Sequence, residues 1–145
     1  MSETVIEVEN GQVESVPTKD DLRNEDGTPT RQGWHEIGKR LRQPMDKKSY
    51  RGPGGRELSY ITARQVQDRL DSVVGLGNWS THYFVHPGGA VECTLTLFGI
   101  SKADVGYSNN PGDPSREDEP LKAAYSDAFK RAAVAWGIGR FLYGD

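Results

Sequence analysis

Apolar residues recur at helical spacing near the start and in the middle of the chain. Trp34, Ile37 and Leu41 fall on one helical face, and Pro44 ends that helix. A second helix follows Thr62–Gln65, where threonine and glutamine have the spacing of a capping box. Its buried stripe is predicted to be Ala63, Val66, Leu70, Val73 and Val74.

Alternation of apolar and polar residues predicts strands in the second half. The segments 79–85 and 91–97 alternate clearly, and Pro87-Gly88-Gly89 turns the chain between them. A tight connection through Ser101 and Lys102 is expected to lead to a third strand over 104–107. Earlier in the chain, Leu58 and Tyr60 predict a short strand.

The longest helix is predicted over 118–136, with Pro120 in its first turn and Gly137 and Gly139 ending it. Its predicted core face is Leu121, Tyr125, Ala128, Phe129, Ala132 and Trp136. The order of elements is helix, strand, helix, three strands, helix. We therefore expect an α+β fold, in which an antiparallel three-stranded meander packs against a long C-terminal helix and further helices precede it.

Charge divides the chain unevenly. Residues 1–33 hold three basic and eight acidic residues and few apolar ones, which predicts an acidic, disordered arm. Residues 34–145 hold 15 basic and 13 acidic residues and are predicted to form one folded domain. A surplus of two positive charges is too small to indicate nucleic-acid binding. An inference of nucleic-acid binding therefore depends on where the charges lie.

Several function classes find little support. The single cysteine, Cys93, excludes an internal disulfide and lies in an alternating apolar run, where burial is expected. His35, His82 and His86 lack the spacing of metal ligands, and we expect no metal or other cofactor. The N-terminus has no signal-peptide pattern, and no run reaches the roughly 18 apolar residues of a membrane span. A cytoplasmic, nucleoid-associated protein is expected.

Acidic residues leave one enzymatic alternative open. A metal-dependent nuclease needs clustered carboxylates. The candidates are Asp104, Asp113, Glu117, Asp118 and Glu119. The favoured interpretation is structural, because Asp118 and Glu119 precede a helix, where negative charge is stabilising.

Basic residues of the last helix are better candidates. Lys122, Ser126 and Lys130 are four residues apart and form one stripe, which can reach successive phosphates or can simply be a solvated face. Arg131 stands four residues after Asp127, a spacing that also fits a structural ion pair.

Four segments follow one another in a definite order: Tyr60 to Leu70, Gly77-Asn78-Trp79-Ser80, Asp104-Val105-Gly106-Tyr107, and Leu121 through Lys130-Arg131-Ala132 to Gly137. In this order they resemble the single-strand annealing domain of the Rad52/Rad22 recombination family, over about residues 35–144. The ending Gly137-Ile138-Gly139-Arg140-Phe141-Leu142-Tyr143 is most similar to the bacterial and phage branch of that family, of the DdrA type.

The resemblance implies a β-β-β-α core that assembles into a ring or open arc and holds single-stranded DNA in a positive outer groove. The DNA-binding positions it implies are Lys130, Arg131, Tyr60, Arg51 (with Arg56 as its alternative), Lys122 and, for a second site, Lys102. Two departures are noted: Val134 stands where some members are basic, and the hairpin around Lys102 is short.

The resulting prediction is a non-enzymatic homo-oligomer that binds single-stranded DNA, anneals complementary strands and protects ends in recombination and repair. A contact with a recombinase is not implied. A reader of double-stranded or structured RNA, a metal-dependent nuclease and a scaffold without nucleic acid remain as alternatives.

Overall fold

The computed structural model describes the backbone of residues 5–9, 12–16, 19–108 and 120–143, and the side chains of residues 21–108 and 120–142. The chain divides into two compact units, residues 1–39 and 40–145.

The first unit contains a hairpin and two helices. Strand β1 (Val5–Glu9) pairs antiparallel with β2 (Gln12–Val16), and helix α1 (Lys19–Leu22) follows. Helix α2 (Arg31–Leu41) begins after Thr30, whose Oγ1 accepts a hydrogen bond from the Gly33 N–H at 3.0 Å. Most of these elements lie within the predicted acidic arm, and the division of the chain at residue 33 stays a prediction.

Helix α2 continues into the second unit at its last residues. Ile37 and Leu41 are buried, as their spacing predicted, whereas Trp34 is only partly buried. The helix starts three residues before the predicted Trp34, because Thr30 supplies an N-cap that the apolar spacing does not reveal.

A two-stranded hairpin follows. Strand β3 (Lys48–Arg51) pairs antiparallel with β4 (Glu57–Tyr60), and the connection between them includes a single 3-10 turn over Pro53–Gly55. The strand at 57–60 was expected, whereas the strand over the basic segment before it was not predicted from the sequence. Charged residues concealed the strand, because β3 gains its hydrogen bonds from β4 and its side chains stay exposed.

Helix α3 (Ala63–Val73) has the predicted capping box. Thr62 Oγ1 accepts from the Gln65 N–H at 3.1 Å, and the Thr62 N–H donates to Gln65 Oε1 at 2.8 Å. Val66, Leu70 and Val73 are buried, so the predicted stripe is confirmed at these positions.

Strands β5 (Trp79–Val85), β6 (Val91–Leu97) and β7 (Ile100–Gly106) form the predicted antiparallel meander in the order β5-β6-β7. Phe98 and Gly99 join β6 to β7 with φ of 50° and 82°, the geometry of a tight two-residue hairpin turn. Ser101 and Lys102 therefore belong to β7 and not to a connection, which corrects the prediction. The turn needs only two residues, so β7 begins four residues earlier than expected.

Helix α4 (Pro120–Ala135) packs on β6 and β7. Its predicted start at Asp118 lies outside the described residues, as do Asp113, Glu117 and Glu119. Leu121 was wrongly placed in the core: its surface is 52% exposed, because burial on α4 begins only one turn later, at Ala124. The buried residues of the helix are Ala124, Ala128, Phe129, Ala132 and Ala133. The α+β fold with a meander on a C-terminal helix is confirmed.

Candidate nucleic-acid interface

Tyr60 and Lys130 meet where the end of β4 approaches the middle of α4. The Lys130 Nζ lies 5.9 Å from the centroid of the Tyr60 ring, within the range of a cation–π contact. Both side chains are partly buried. Ile61, directly after Tyr60, is buried and anchors this end of the strand. The Lys130 ammonium group is thus partly covered and faces an aromatic ring.

Arg131 is tethered one position further along the helix. Its Nε lies 3.0 Å from Asp127 Oδ2, so the ion pair that the i, i+4 spacing allows is present. The same Oδ2 accepts a hydrogen bond from the backbone N–H of Tyr107 at 3.0 Å, which connects α4 to the end of β7. The Arg131 side chain is nevertheless 53% exposed, so the ion pair orients the guanidinium without burying it.

These residues surround a shallow depression of about 110 Å³. Its lining combines apolar side chains with a charged rim. The lining residues are Ser59, Tyr60, Ile61, Asp127, Lys130, Arg131, Val134, Gly139 and Leu142. Two cations and one aromatic ring line this depression together with the Asp127 carboxylate, and the cations and the ring suit a ligand that carries both phosphate and flat base surface.

Glycine at position 139 allows the tail after α4 to close one side of the depression. Its φ is +81°, and a Cβ there would lie 2.8 Å from Ile61 Cδ1. A larger residue would therefore be strained and would push on Ile61, the neighbour of Tyr60. The glycine-rich ending thus has a structural role beside the site.

The β3–β4 hairpin separates two of the predicted DNA-binding residues. Side chains alternate between the faces of a strand pair, and the register places Tyr50 opposite Leu58 and Lys48 opposite Tyr60 on one face. Arg51 lies opposite Glu57 on the other face. The structure therefore does not place Arg51 on the face of Tyr60, and its role in binding stays a prediction.

Arg56 and Lys122 are both exposed. Arg56 follows the 3-10 turn, immediately before β4, and its carbonyl accepts the Gly52 N–H at 2.7 Å. Lys122 lies on α4 eight residues before Lys130, which is about 12 Å along the helix axis. That separation is compatible with contacts to different phosphates of one strand.

Lys102 lies at the other end of α4. Its Nζ is 4.8 Å from the Trp136 ring centroid and donates to the Ala135 carbonyl at 3.4 Å. Arg140, which the sequence reasoning did not single out, donates to the carbonyls of Val134 and Ala135 at 2.9 and 3.2 Å. Both cations interact with the carbonyl end of the helix, where positive charge is stabilising. A second DNA site at Lys102 stays a prediction.

Sequence reasoning also missed Tyr50. The ring centroids of Tyr50 and Tyr60 are 5.5 Å apart with an interplanar angle of 71°. The available signal was the spacing of two residues between Lys48 and Tyr50 on one strand and between Leu58 and Tyr60 on the next. This spacing places all four on one face, but only if residues 48–51 are recognised as a strand.

Among the residues that the structure describes, histidine, cysteine and carboxylate side chains form no group of three that could hold a metal ion. Among the same residues, no helix is long and apolar enough to cross a membrane.

Comparison with known proteins places the chain among DNA repair proteins. Residues 34–145 match the family model described as Rad52/22 family double-strand break repair protein. The chain is 46% identical over 89 residues to the single-stranded DNA-binding protein DdrA of Deinococcus deserti, and 42% identical over 89 residues to DdrA of Deinococcus radiodurans. Each match includes 59% of this chain and covers 41% and 40% of those two proteins.

The chain thus matches well under half the length of these relatives. The family match, however, includes the β3–β4 hairpin, the meander, α4 and the depression between β4 and α4. On that match, the chain belongs to the Rad52/22 family of double-strand break repair proteins.

Proposed function

We propose that the chain binds single-stranded DNA at the depression between β4 and α4 and promotes annealing of complementary strands in recombination and repair. The observation that carries the proposal is the contact of Lys130 with Tyr60 beside the exposed Arg131. The names of the DdrA relatives, which describe single-stranded DNA-binding proteins, support it.

Phosphate contacts supply the affinity in this proposal. Lys130 and Arg131 provide two adjacent cations, and Lys122 extends the positive stripe along α4. Because bound counterions are released from the strand, log K falls with log salt concentration by about 0.7 per phosphate contact on single strands. Few contacts to base edges are expected, since annealing requires the pairing edges to stay open.

Oligomerisation is the second part of the proposal. One subunit carries a small surplus of positive charge outside the acidic segment, so a continuous positive track requires several copies. In the described sheet β5 and β7 are the edge strands, and Phe84, Val85 and Ile100 on them are exposed. An unpaired edge strand with exposed apolar side chains can pair with a strand of another copy of the chain.

The proposal includes no catalytic step, and the nucleoid-containing cytoplasm is the expected location. DNA ends would be protected because the bound protein covers them, and not because it modifies them. A recombinase contact is not part of the proposal.

Binding and annealing measured together test this function. Fluorescence anisotropy with a labelled 30-nucleotide strand, across a salt series, should show binding that weakens steeply with salt. Lys130→Ala and Arg131→Ala should each reduce the salt slope by about 0.7. Lys39→Ala is the matched control, since it removes one exposed positive charge outside the depression.

Parallel arms separate the alternatives. Annealing of two complementary strands should be lost in the double variant Lys130→Ala/Arg131→Ala and retained in the control. Tighter binding of duplex RNA than of single-stranded DNA would favour the RNA-binding alternative. Shortening of labelled DNA with magnesium or manganese would favour the nuclease. Normal annealing by the double variant would exclude the assigned site.

A further inference from the structure

Tyr50 extends the candidate interface beyond the depression. Its ring centroid is 5.5 Å from that of Tyr60, at an interplanar angle of 71°. Tyr60 in turn contacts the Lys130 Nζ at 5.9 Å. One cation and two aromatic rings are therefore in continuous contact across β3, β4 and α4.

The strand register explains why these two rings meet. Tyr50 is directly opposite Leu58, one pair away from the Lys48–Tyr60 pair, so Tyr50 and Tyr60 are diagonal neighbours on the same face. An edge-to-face contact is a favoured geometry for two rings. The contact with Tyr60 therefore favours one orientation of the Tyr50 ring in the absence of a ligand.

Tyr50 also keeps about half of its surface accessible to solvent. It is 49% exposed, whereas Tyr60 is partly buried by its neighbours. A half-exposed ring contributes little to folding. It can bind a flat ligand at a low cost in conformational entropy, because tyrosine has few rotamers to lose.

We propose that Tyr50, supported by Tyr60, forms a stacking subsite for an unpaired nucleobase, next to the phosphate that Lys130 binds. This inference rests on the proposed function and adds the part of the strand that is recognised. Stacking uses the face of a base and leaves its pairing edge open, so it is compatible with annealing. It also discriminates against duplexes, whose base faces are already covered.

Abasic DNA tests the inference directly. Binding of a labelled 30-nucleotide mixed-sequence strand is compared with that of an abasic strand of the same length and charge, by anisotropy at one salt concentration. Tyr50→Leu, which keeps an apolar side chain and removes the flat ring, should weaken binding of the base-bearing strand about tenfold. It should leave the abasic strand and the salt slope unchanged, and Tyr50→Phe should restore the lost affinity.

Folding is controlled with the same variants. Equal thermal melts of the wild type, Tyr50→Leu and Tyr50→Phe exclude an unfolded hairpin, and Tyr50→Trp gives a second, ring-bearing comparison if the leucine variant melts early. Loss of affinity for both strands alike would overturn the inference, because it would indicate a structural effect. Unchanged affinity for the base-bearing strand would overturn it too.

The two proposals fail in different ways. If the wild type does not bind single strands, or Lys130→Ala has no effect on binding, the proposed function fails. If wild-type binding and the Lys130 effect are present while Tyr50→Leu behaves as wild type, only the stacking subsite is wrong.

Discussion

Gly106 in β7 lies directly against the backbone of Ala128 in α4, so close that a Cβ on Gly106 would overlap the Ala128 nitrogen. Both residues are buried. This contact sets the distance between the meander and the helix. Ala128 lies two residues before Lys130 and directly after Asp127, so the same contact also fixes the position of the Lys130 and Arg131 backbone relative to the meander.

Gly106→Ala is expected to destabilise the fold by about 3 kcal/mol, because the added methyl group meets backbone that cannot move aside cheaply. Urea unfolding followed by circular dichroism measures the change. Gly77→Ala is the control: Gly77 has no neighbouring atom within 4 Å of the added Cβ and should change stability by less than about 0.5 kcal/mol. Equal stabilities of the two variants would contradict the close-packing explanation.

The fold was largely predictable because most elements carry their own local signal. The capping box at Thr62, the alternation over 91–97 and the alanine-rich helix follow rules that operate within a few residues. The strand β3 was not predictable in this way, since its side chains are exposed and its pairing depends on β4. The start of β7 was missed because a two-residue turn left no separate connection to recognise.

The candidate site was predictable only in part, for a related reason. Lys130 and Arg131 are adjacent in sequence, and Tyr60 followed from a family resemblance; the structure places all three around one depression. Arg51 was grouped with Tyr60, but which face of a hairpin a side chain occupies depends on strand register. Tyr50 required both the register and the ring geometry.

Asp127→Asn should tighten binding of single-stranded DNA about threefold at low salt, because it removes a negative charge from the rim of the depression. An asparagine oxygen can still accept the Tyr107 N–H, so the link between α4 and β7 is retained. Stability should change by less than about 1 kcal/mol, since the ion pair with Arg131 is partly exposed.

Anisotropy at two salt concentrations checks the effect of Asp127→Asn, which should fade as salt screens the rim charges. Glu36→Gln, in α2 and outside the depression, is the matched control for loss of one negative charge. Weaker binding by Asp127→Asn would instead mean that the carboxylate is needed to orient Arg131 toward the strand.

Arg69→Ala should destabilise the second unit by about 2 kcal/mol, through loss of charge-assisted hydrogen bonds. The Arg69 Nη1 donates to the carbonyls of Arg40, Leu41 and Gln43 at 3.1, 3.2 and 2.7 Å, and thereby satisfies the C-terminal end of α2. Arg69→Lys should recover only part of the loss, because an ammonium group lacks the planar fork. Urea unfolding of both variants measures these changes in stability. Full recovery of stability by Arg69→Lys would show that a positive charge is sufficient without the planar guanidinium.

Cys93 predicts a pH dependence of stability at alkaline pH. Burial raises the pKa of the Cys93 thiol from 9.0 to about 11, because the thiolate would lose its hydration inside the sheet. The folded state therefore favours the protonated thiol, and its contribution to stability is fully present below pH 9 and is lost as pH rises toward 11. Burial also raises the pKa of Tyr83, so part of the loss of stability at alkaline pH belongs to that group.

Unfolding free energies measured from pH 7 to 11 should fall less steeply in Cys93→Ala than in the wild type, while Tyr83→Phe isolates the contribution of the tyrosine. Parallel pH profiles for Cys93→Ala and the wild type would show that the pKa of the thiol is the same in the folded and unfolded states, which would contradict the effect of burial.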